Sequence, residues 1–238
     1  MTDLRSKLLR LGYKPKGSTD TDASERNGSG STVDVSGNHF AFLRTRRSPY
    51  TIDRVLPGER VSTPYGDCFM VEHHHPPGHP HGVYRLDEAL EVDPKTFSWM
   101  ARNSNMAGFD LSRSVFVDLE TTGLAGGTGT YAFLVGIGYY QGVRFVVRQF
   151  FMEDYDAEEA LLHALAESLE PFGSVVTFNG KSFDLPLLET RFQLARRPFP
   201  LQDLPHLDLL YPARRLWKGR LESCALSSLE ESILGVER

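Results

Sequence analysis

Residues 115–124 read VFVDLETTGL, a short run of strand-forming residues that ends in two carboxylates. Side chains alternate between the two faces of a strand, so Asp118 and Glu120 share one face with Phe116, while the valines and Leu119 occupy the other. Carboxylates beside a buried strand are costly unless a cation or hydrogen-bond donors compensate them. The stretch therefore predicts a hard-metal site made of oxygen ligands. The alternative is a pair of solvated acids at a sheet edge that form ordinary salt bridges.

Composition limits the classes of protein that fit. The chain has 238 residues, 40% of them hydrophobic, which suffices for one large domain or for one domain with a smaller appendage. Its net charge of -5 and pI near 5.9 exclude the strongly basic character of many duplex-coating proteins. Cys68 and Cys224 are far apart and lack metal-ligand spacing, which favours a reducing compartment and predicts a cytoplasmic location. The sequence predicts neither a membrane span nor a secretory signal.

The N-terminal half divides into three predicted parts. Residues 1–16 have leucines at helical spacing and predict a short amphipathic helix. Residues 17–38 are rich in Gly, Ser, Thr, Asp and Asn and predict a disordered, flexible linker. Residues 39–110 predict a small β-rich extension with tight turns, followed by a helix capped by Asp93 with Pro94 at its first position.

Five histidines in this extension raise the question of a transition-metal site. They are His73, His74, His75, His79 and His81. Prolines and a glycine interrupt the group, and no cysteine or acidic residue stands at a recognisable ligand spacing. Because neighbouring strand residues face opposite ways, three adjacent histidines cannot all face one ion. We therefore expect no zinc site here.

Residues 111–238 form the main predicted domain. The acidic strand, a glycine-rich turn at 125–130 and two further strands predict an antiparallel meander. The turn lacks the lysine and Ser/Thr of a P-loop, so it does not predict nucleotide binding. A leucine-faced helix with Asp156 as its cap should follow, and then a buried strand at 174–178 parallel to the first.

The segment 178–188, FNGKSFDLPLL, places Asp184 at the start of the next helix. An aspartate before Leu-Pro is by itself an ordinary helix N-cap. In the sheet that this sequence of predicted strands and helices would form, however, the acidic strand and the 174–178 strand are neighbours. Asp184 should then lie close to Asp118 and Glu120 at the carboxyl edge, where open α/β sheets place their sites. We predict that these three acids converge within reach of one divalent ion.

Two of these segments, 116–124 and 178–188, resemble the first two signature motifs of the DEDD 3′-5′ exonucleases. The stretches 125–130 and 204–210 are most similar to the YprB-like branch of that superfamily. The resemblance runs from about residue 114 to Arg238. It implies an α/β fold with a ribonuclease H-like mixed sheet flanked by helices, to which the N-terminal α+β extension and the disordered linker would be added.

The resemblance also implies an activity and a site. It implies hydrolysis of phosphodiester bonds in single-stranded or 3′-ended nucleic acid by a two-metal mechanism that uses Mg²⁺ or Mn²⁺. Three of the four metal-binding catalytic acids match Asp118, Glu120 and Asp184. The positions assigned to substrate binding are Thr121, Leu124, Asn179 and Lys181.

The fourth acid of the family has no match before Arg238. In the family it lies on a helix downstream of the second motif, four or five residues after a histidine or tyrosine. Asp208 with His206 should not replace it, because their strand is expected two strand spacings, roughly 10 Å, from that of Asp118. We expect a C-terminally incomplete exonuclease with impaired activity. The alternative is a catalytically inactive nucleic-acid-binding or scaffolding module of the same fold.

Seven cations follow the second motif and could track the phosphates of a strand, or they could belong to a solvated surface. They are Arg191, Arg196, Arg197, Arg214, Arg215, Lys218 and Arg220. The chain then predicts a last helix over 221–234, with Gly235 as its C-cap.

Overall fold

The computed structural model describes residues 52–123 and 129–236. The predicted helix over 1–16, the predicted linker over 17–38 and Leu124 therefore lie outside the described residues. Within these ranges, no helix is long and apolar enough to cross a membrane.

The described chain contains nine strands and five α-helices. The strands are β1 (Glu59–Thr63), β2 (Gly66–His75), β3 (Pro80–His81), β4 (Tyr84–Arg85), β5 (Ser114–Thr121), β6 (Ala132–Gln141), β7 (Arg144–Phe151), β8 (Ser174–Thr177) and β9 (His206–Asp208). The helices are α1 (Pro94–Ala101), α2 (Glu158–Leu169), α3 (Asp184–Leu194), α4 (Leu210–Trp217) and α5 (Leu226–Leu229).

Seven strands form one mixed sheet in the order β1-β2-β7-β6-β5-β8-β9, and β3 pairs with β4 in a separate hairpin. β8 runs parallel to β5 and β9 runs parallel to β8, whereas the other pairs in the sheet are antiparallel. The predicted meander of β5, β6 and β7 and the predicted parallel strand β8 are therefore confirmed. Together with the flanking helices, this is the mixed α/β architecture predicted from the sequence.

Both faces of the sheet are covered near its centre. Val115, Val117 and Leu119 of β5 are buried in a large cluster that includes the leucines of α2 and the apolar side of α3. Phe116 points the other way, into a second cluster formed with Phe97 of α1 and neighbouring aromatic residues. The alternation predicted for this strand is thus present, and it places Asp118 and Glu120 on the face of Phe116.

The described part of the β-rich extension is continuous with the main sheet. β2 pairs with β7 over seven residue pairs, from Phe69 opposite Phe151 to His75 opposite Phe145. The division of the chain into domains at residue 110 stays a prediction. The start of α1 is as predicted: the carboxylate of Asp93 accepts the N–H of Lys95, and proline follows it directly.

Two local predictions differ from the structure. Asp156 does not cap α2, because a short 3₁₀ turn at Tyr155–Ala157 comes first and Asp154 caps that turn. The last helix begins at Leu226 rather than at residue 221, since the Ser223 hydroxyl accepts the N–H of Ala225 and competes with helical hydrogen bonding. A π-helical turn over Glu230–Leu234 continues α5, and it ends as predicted, with Gly235 in the left-handed region at φ +67°.

Candidate active site

Two neighbouring elements bring the three predicted acids to one edge of the sheet. β5 carries Asp118 and Glu120, and α3 begins at Asp184. β8 pairs with β5 only as far as Val176 and ends at Thr177, which leaves the far end of β5 without a strand partner on that side. The carboxylate of Asp184 occupies this position and accepts a hydrogen bond from the backbone of Leu119.

The charges of both other acids change the pKa of Asp118. Burial, together with the charges of Asp184 and Glu120, raises the pKa of Asp118 to about 6, while a hydrogen bond to the backbone of Leu119 opposes the rise. The side chain still reaches solvent, which screens part of this effect. A carboxyl that titrates near neutrality among other carboxylates is a feature of functional sites, although ion-pair networks can also produce it.

Asp184 is held in place by the backbone. Burial raises its pKa, and the charges of Asp208 and Glu120 act in the same direction, while hydrogen bonds to the backbone N–H groups of Asp184 itself and of Leu119 oppose the rise. The N-cap of α3 is Phe183 rather than Asp184, and it makes no side-chain capping bond. Asp184 is the first residue of the helix, so its charge lies at the positive end of the helix dipole.

The three carboxylates are electrostatic neighbours, but they are not gathered into a closed ligand set. Across the described residues, no group of three His, Cys, Asp or Glu side chains is arranged to hold a metal ion. The donor chemistry nevertheless fits a hard cation: three carboxylates repel one another, and Mg²⁺ takes a few such oxygens while it keeps waters or substrate phosphate. An open, partly hydrated set of acids suits that ion.

Three of the predicted substrate-binding residues, Thr121, Asn179 and Lys181, lie within the described residues, on segments that adjoin this edge. The Thr121 hydroxyl donates to the carbonyl of Gly123 at 2.9 Å and so shapes the end of β5. Asn179 adopts a left-handed φ of +67°, which asparagine tolerates, and Lys181 is exposed on the loop between β8 and α3.

Asp208 fixes this loop, a role that is not predicted from the sequence. Its carboxylate is buried and accepts three backbone N–H groups, from Asn179 at 2.8 Å, from Lys181 at 2.9 Å and from Leu210 at 3.0 Å. These bonds tie the β8–α3 loop to the start of α4, and they use most of the acceptor positions of the carboxylate. Asp208 therefore acts as a clamp beneath the loop that leads to Asp184.

His206 also has its contacts within its own part of the sheet, with Thr177 of β8. Its Nε2 lies 2.8 Å from the Thr177 hydroxyl, and burial lowers its pKa, with Asp208 opposing and Lys181 assisting that shift. β9 lies beyond β8 in the sheet, as predicted, so two strand spacings separate Asp208 from the strand of Asp118. That His206 and Asp208 do not supply the missing base and acid stays a prediction, which their strand position and contacts support.

The histidines of β2 and of the following hairpin make ordinary side-chain contacts and do not form a set of metal ligands. His74 Nε2 lies 2.7 Å from Glu72, and the His75 and His79 rings have centroids 4.4 Å apart. Burial lowers the pKa of His75, and the surrounding histidines lower it further. No three of these histidines form a metal-holding group in the described chain, as stated above for the acids.

The fold and this edge define the chain as a ribonuclease H-like α/β protein, and comparison with known proteins gives the family. A family model described as the RNase_H superfamily matches residues 115–238, which include all three acids. The chain belongs to that superfamily. It is also 35% identical over 173 residues to the uncharacterized protein YprB of Bacillus subtilis (strain 168), an alignment that covers 72% of this chain and 42% of YprB. The chain thus spans less than half the length of this relative.

Proposed function

We propose that this chain is a metal-dependent nuclease of the DEDD 3′-5′ exonuclease type that acts by a two-metal mechanism. One observation carries the proposal: Asp118, Glu120 and Asp184, from two separate elements, lie at one edge of the sheet and affect one another's charge. A structural role would not require three mutually repelling carboxylates beside a buried strand.

The proposed cofactor is Mg²⁺ or Mn²⁺, held by Asp118, Glu120 and Asp184. When bound, such ions supply Lewis-acid polarisation of the scissile phosphate and a nucleophilic water at neutral pH. The protein's own part is to concentrate negative oxygens at this edge, with Leu119 N–H and the first turn of α3 orienting Asp184. Repulsion among the acids favours cation binding because the cation relieves it.

The proposed substrate is the 3′ end of a single-stranded nucleic acid. Thr121 and Leu124 would contact the terminal nucleotide, while Asn179 and Lys181 would bind the strand close to it. The two free cysteines, Cys68 and Cys224, are compatible with the cytoplasmic location that forms part of this proposal.

We further propose that the activity of the 238-residue chain is impaired. Asp208 is a further acid whose charge raises the pKa of Asp184, but its hydrogen bonds to three backbone N–H groups commit it to the loop. A nucleic-acid-binding or scaffolding module of the same fold is the second candidate, and the commitment of Asp208 is the observation that favours it.

Binding of Mn²⁺ tests the proposed metal site directly. We expect calorimetry at pH 7.5 to show at least a tenfold loss of affinity in Asp118→Asn and in Asp184→Asn, because each removes one charged ligand. Affinity for the wild-type chain should fall as the pH is lowered through about 6, where Asp118 takes up a proton and the cation must displace it.

Asp156→Asn provides the matched control, since Asp156 is exposed on the 3₁₀ turn before α2. It removes the same charge from the chain and should leave the affinity unchanged. Equal Mn²⁺ affinities for the wild type, Asp118→Asn and Asp156→Asn would refute the assignment of the acids.

A further inference from the structure

A cleft of about 860 Å³ opens next to the acidic edge, between α4 and the segment 219–226. Its size is within the range of pockets that hold organic ligands, roughly 300–1,000 Å³. Phe178 and Asn179 follow the end of β8, and Leu210 follows the end of β9. Because β5, β8 and β9 are parallel, the cleft lies at the same carboxyl edge of the sheet as the acids.

Three of the seven cations that follow the second motif have partners within the protein. Arg191 pairs with Glu158, the guanidinium of Arg197 lies over Tyr65, and Arg215 donates to the backbone of α1. These three are held by contacts within the protein.

Two others, Arg214 and Lys218, line the cleft and are exposed. Arg214 lies in α4, and Lys218 is the residue that directly follows the end of that helix. No ion pair between either cation and an acidic side chain occurs within the described part of the chain. Glu222 is the one acidic residue among those that line the cleft, so the two cations give its lining a net positive charge.

The rest of the lining is apolar or weakly polar and includes the half-buried ring of Phe178. Cations beside apolar and aromatic surface are the combination that single strands need, since phosphates take the cations and bases stack on the rings. Because the chain as a whole has a net charge of -5, attraction of a polyanion depends on a local positive site of this kind.

We propose that this cleft binds the sugar-phosphate backbone of the single strand whose 3′ end lies at the acidic edge, with Arg214 and Lys218 on its phosphates. This inference rests on the proposed function for the identity of the strand. It adds the path by which nucleotides upstream of the terminal one are held.

The test is binding of a 5′-fluorescein-labelled oligothymidylate about ten nucleotides long, measured by anisotropy in EDTA so that no turnover occurs. Arg214→Ala/Lys218→Ala should bind about tenfold more weakly at low salt. The slope of log K against log salt should become shallower by about 1.4, because each phosphate contact on a single strand contributes about 0.7.

The matched control is Arg54→Ala/Arg144→Ala, which removes the same charge from exposed positions outside the cleft. Its affinity should stay within twofold of the wild type. Equal losses in the two double variants would overturn the proposal, because they would show a general charge effect. Unchanged thermal unfolding of both variants checks that the fold is intact.

Cys224 gives a second readout, since it lies in the cleft, whereas Cys68 is buried with its thiol pKa raised to about 11. Saturating oligonucleotide should slow maleimide labelling of Cys224 at least fivefold, and inorganic phosphate alone should not. Unchanged labelling, or equal protection by phosphate, would overturn the strand assignment. Nucleotide release is measured separately. Its absence would refute the proposed function and leave the binding result standing. Loss of the binding result would refute the cleft proposal and leave the proposed function standing.

Discussion

Replacing Asp208 with alanine is expected to lower the free energy of unfolding by about 3–5 kcal/mol. The carboxylate accepts hydrogen bonds from the backbone of Asn179, Lys181 and Leu210, and each charge-assisted bond contributes on the order of 1.5–3 kcal/mol, with incomplete additivity. Chemical denaturation measures the loss. Hydrogen exchange should show that the three amides lose their protection together.

The same substitution should also weaken Mn²⁺ binding, although Asp208 is not proposed as a ligand. It holds the loop that leads to Asp184, so its removal displaces a proposed ligand indirectly. Asp208→Asn should recover part of the stability, because the amide oxygen can still accept while the amide nitrogen cannot. Asp156→Ala is the surface control and should stay within about 0.5 kcal/mol of the wild type. If Asp208→Ala also lowered the free energy of unfolding by only about 0.5 kcal/mol, the role of Asp208 as a clamp would be contradicted.

Replacing Arg191 with alanine is expected to cost about 3–5 kcal/mol as well. Its side chain is 5% exposed, donates twice to Glu158 at 2.5 Å, and lies 3.9 Å from the centroid of the Tyr131 ring. The alanine variant leaves the carboxylate of Glu158 largely buried without this cation. Because the pair joins α2 to α3, the helix that begins with Asp184, its loss should also loosen the acidic edge.

The double variant Arg191→Met/Glu158→Gln separates two explanations. If the cost comes from an uncompensated buried charge, removing both charges should recover at least half of the stability lost in Arg191→Ala. Arg144→Ala serves as the exposed control, with an expected change below about 0.5 kcal/mol. A double variant as unstable as the single one would show that packing against Tyr131, rather than charge, dominates.

The strand at the centre of the fold was predictable because its side chains alternate strictly. Val115, Val117 and Leu119 are buried as expected, and Asp118 and Glu120 share the other face. This local pattern fixes which way the acids point. The parallel pairing of β8 with β5 was also predictable: the antiparallel meander returns β7 to the direction of β5, and α2 then carries the chain back to a strand in that same direction.

Other features depend on contacts that a local pattern does not contain. The clamp by Asp208 joins backbone groups 27 and 29 residues earlier in the chain, so its sequence neighbours give no sign of it. The pairing of β2 with β7 likewise depends on which sheet edge is open. The cleft is lined by residues 221–225, which lie outside the helix predicted for them, and the Ser223 hydroxyl accepts the N–H of Ala225 within this segment. Such features are decided by tertiary structure.

The most direct test of the central claim is the release of mononucleotides from the 3′ end of a single-stranded oligonucleotide by the 238-residue chain. The account predicts slow release that requires Mg²⁺ or Mn²⁺ and falls at least a hundredfold in Asp118→Asn, with Asp156→Asn unaffected. Release that continues in EDTA, or that proceeds at the same rate in Asp118→Asn, would contradict it.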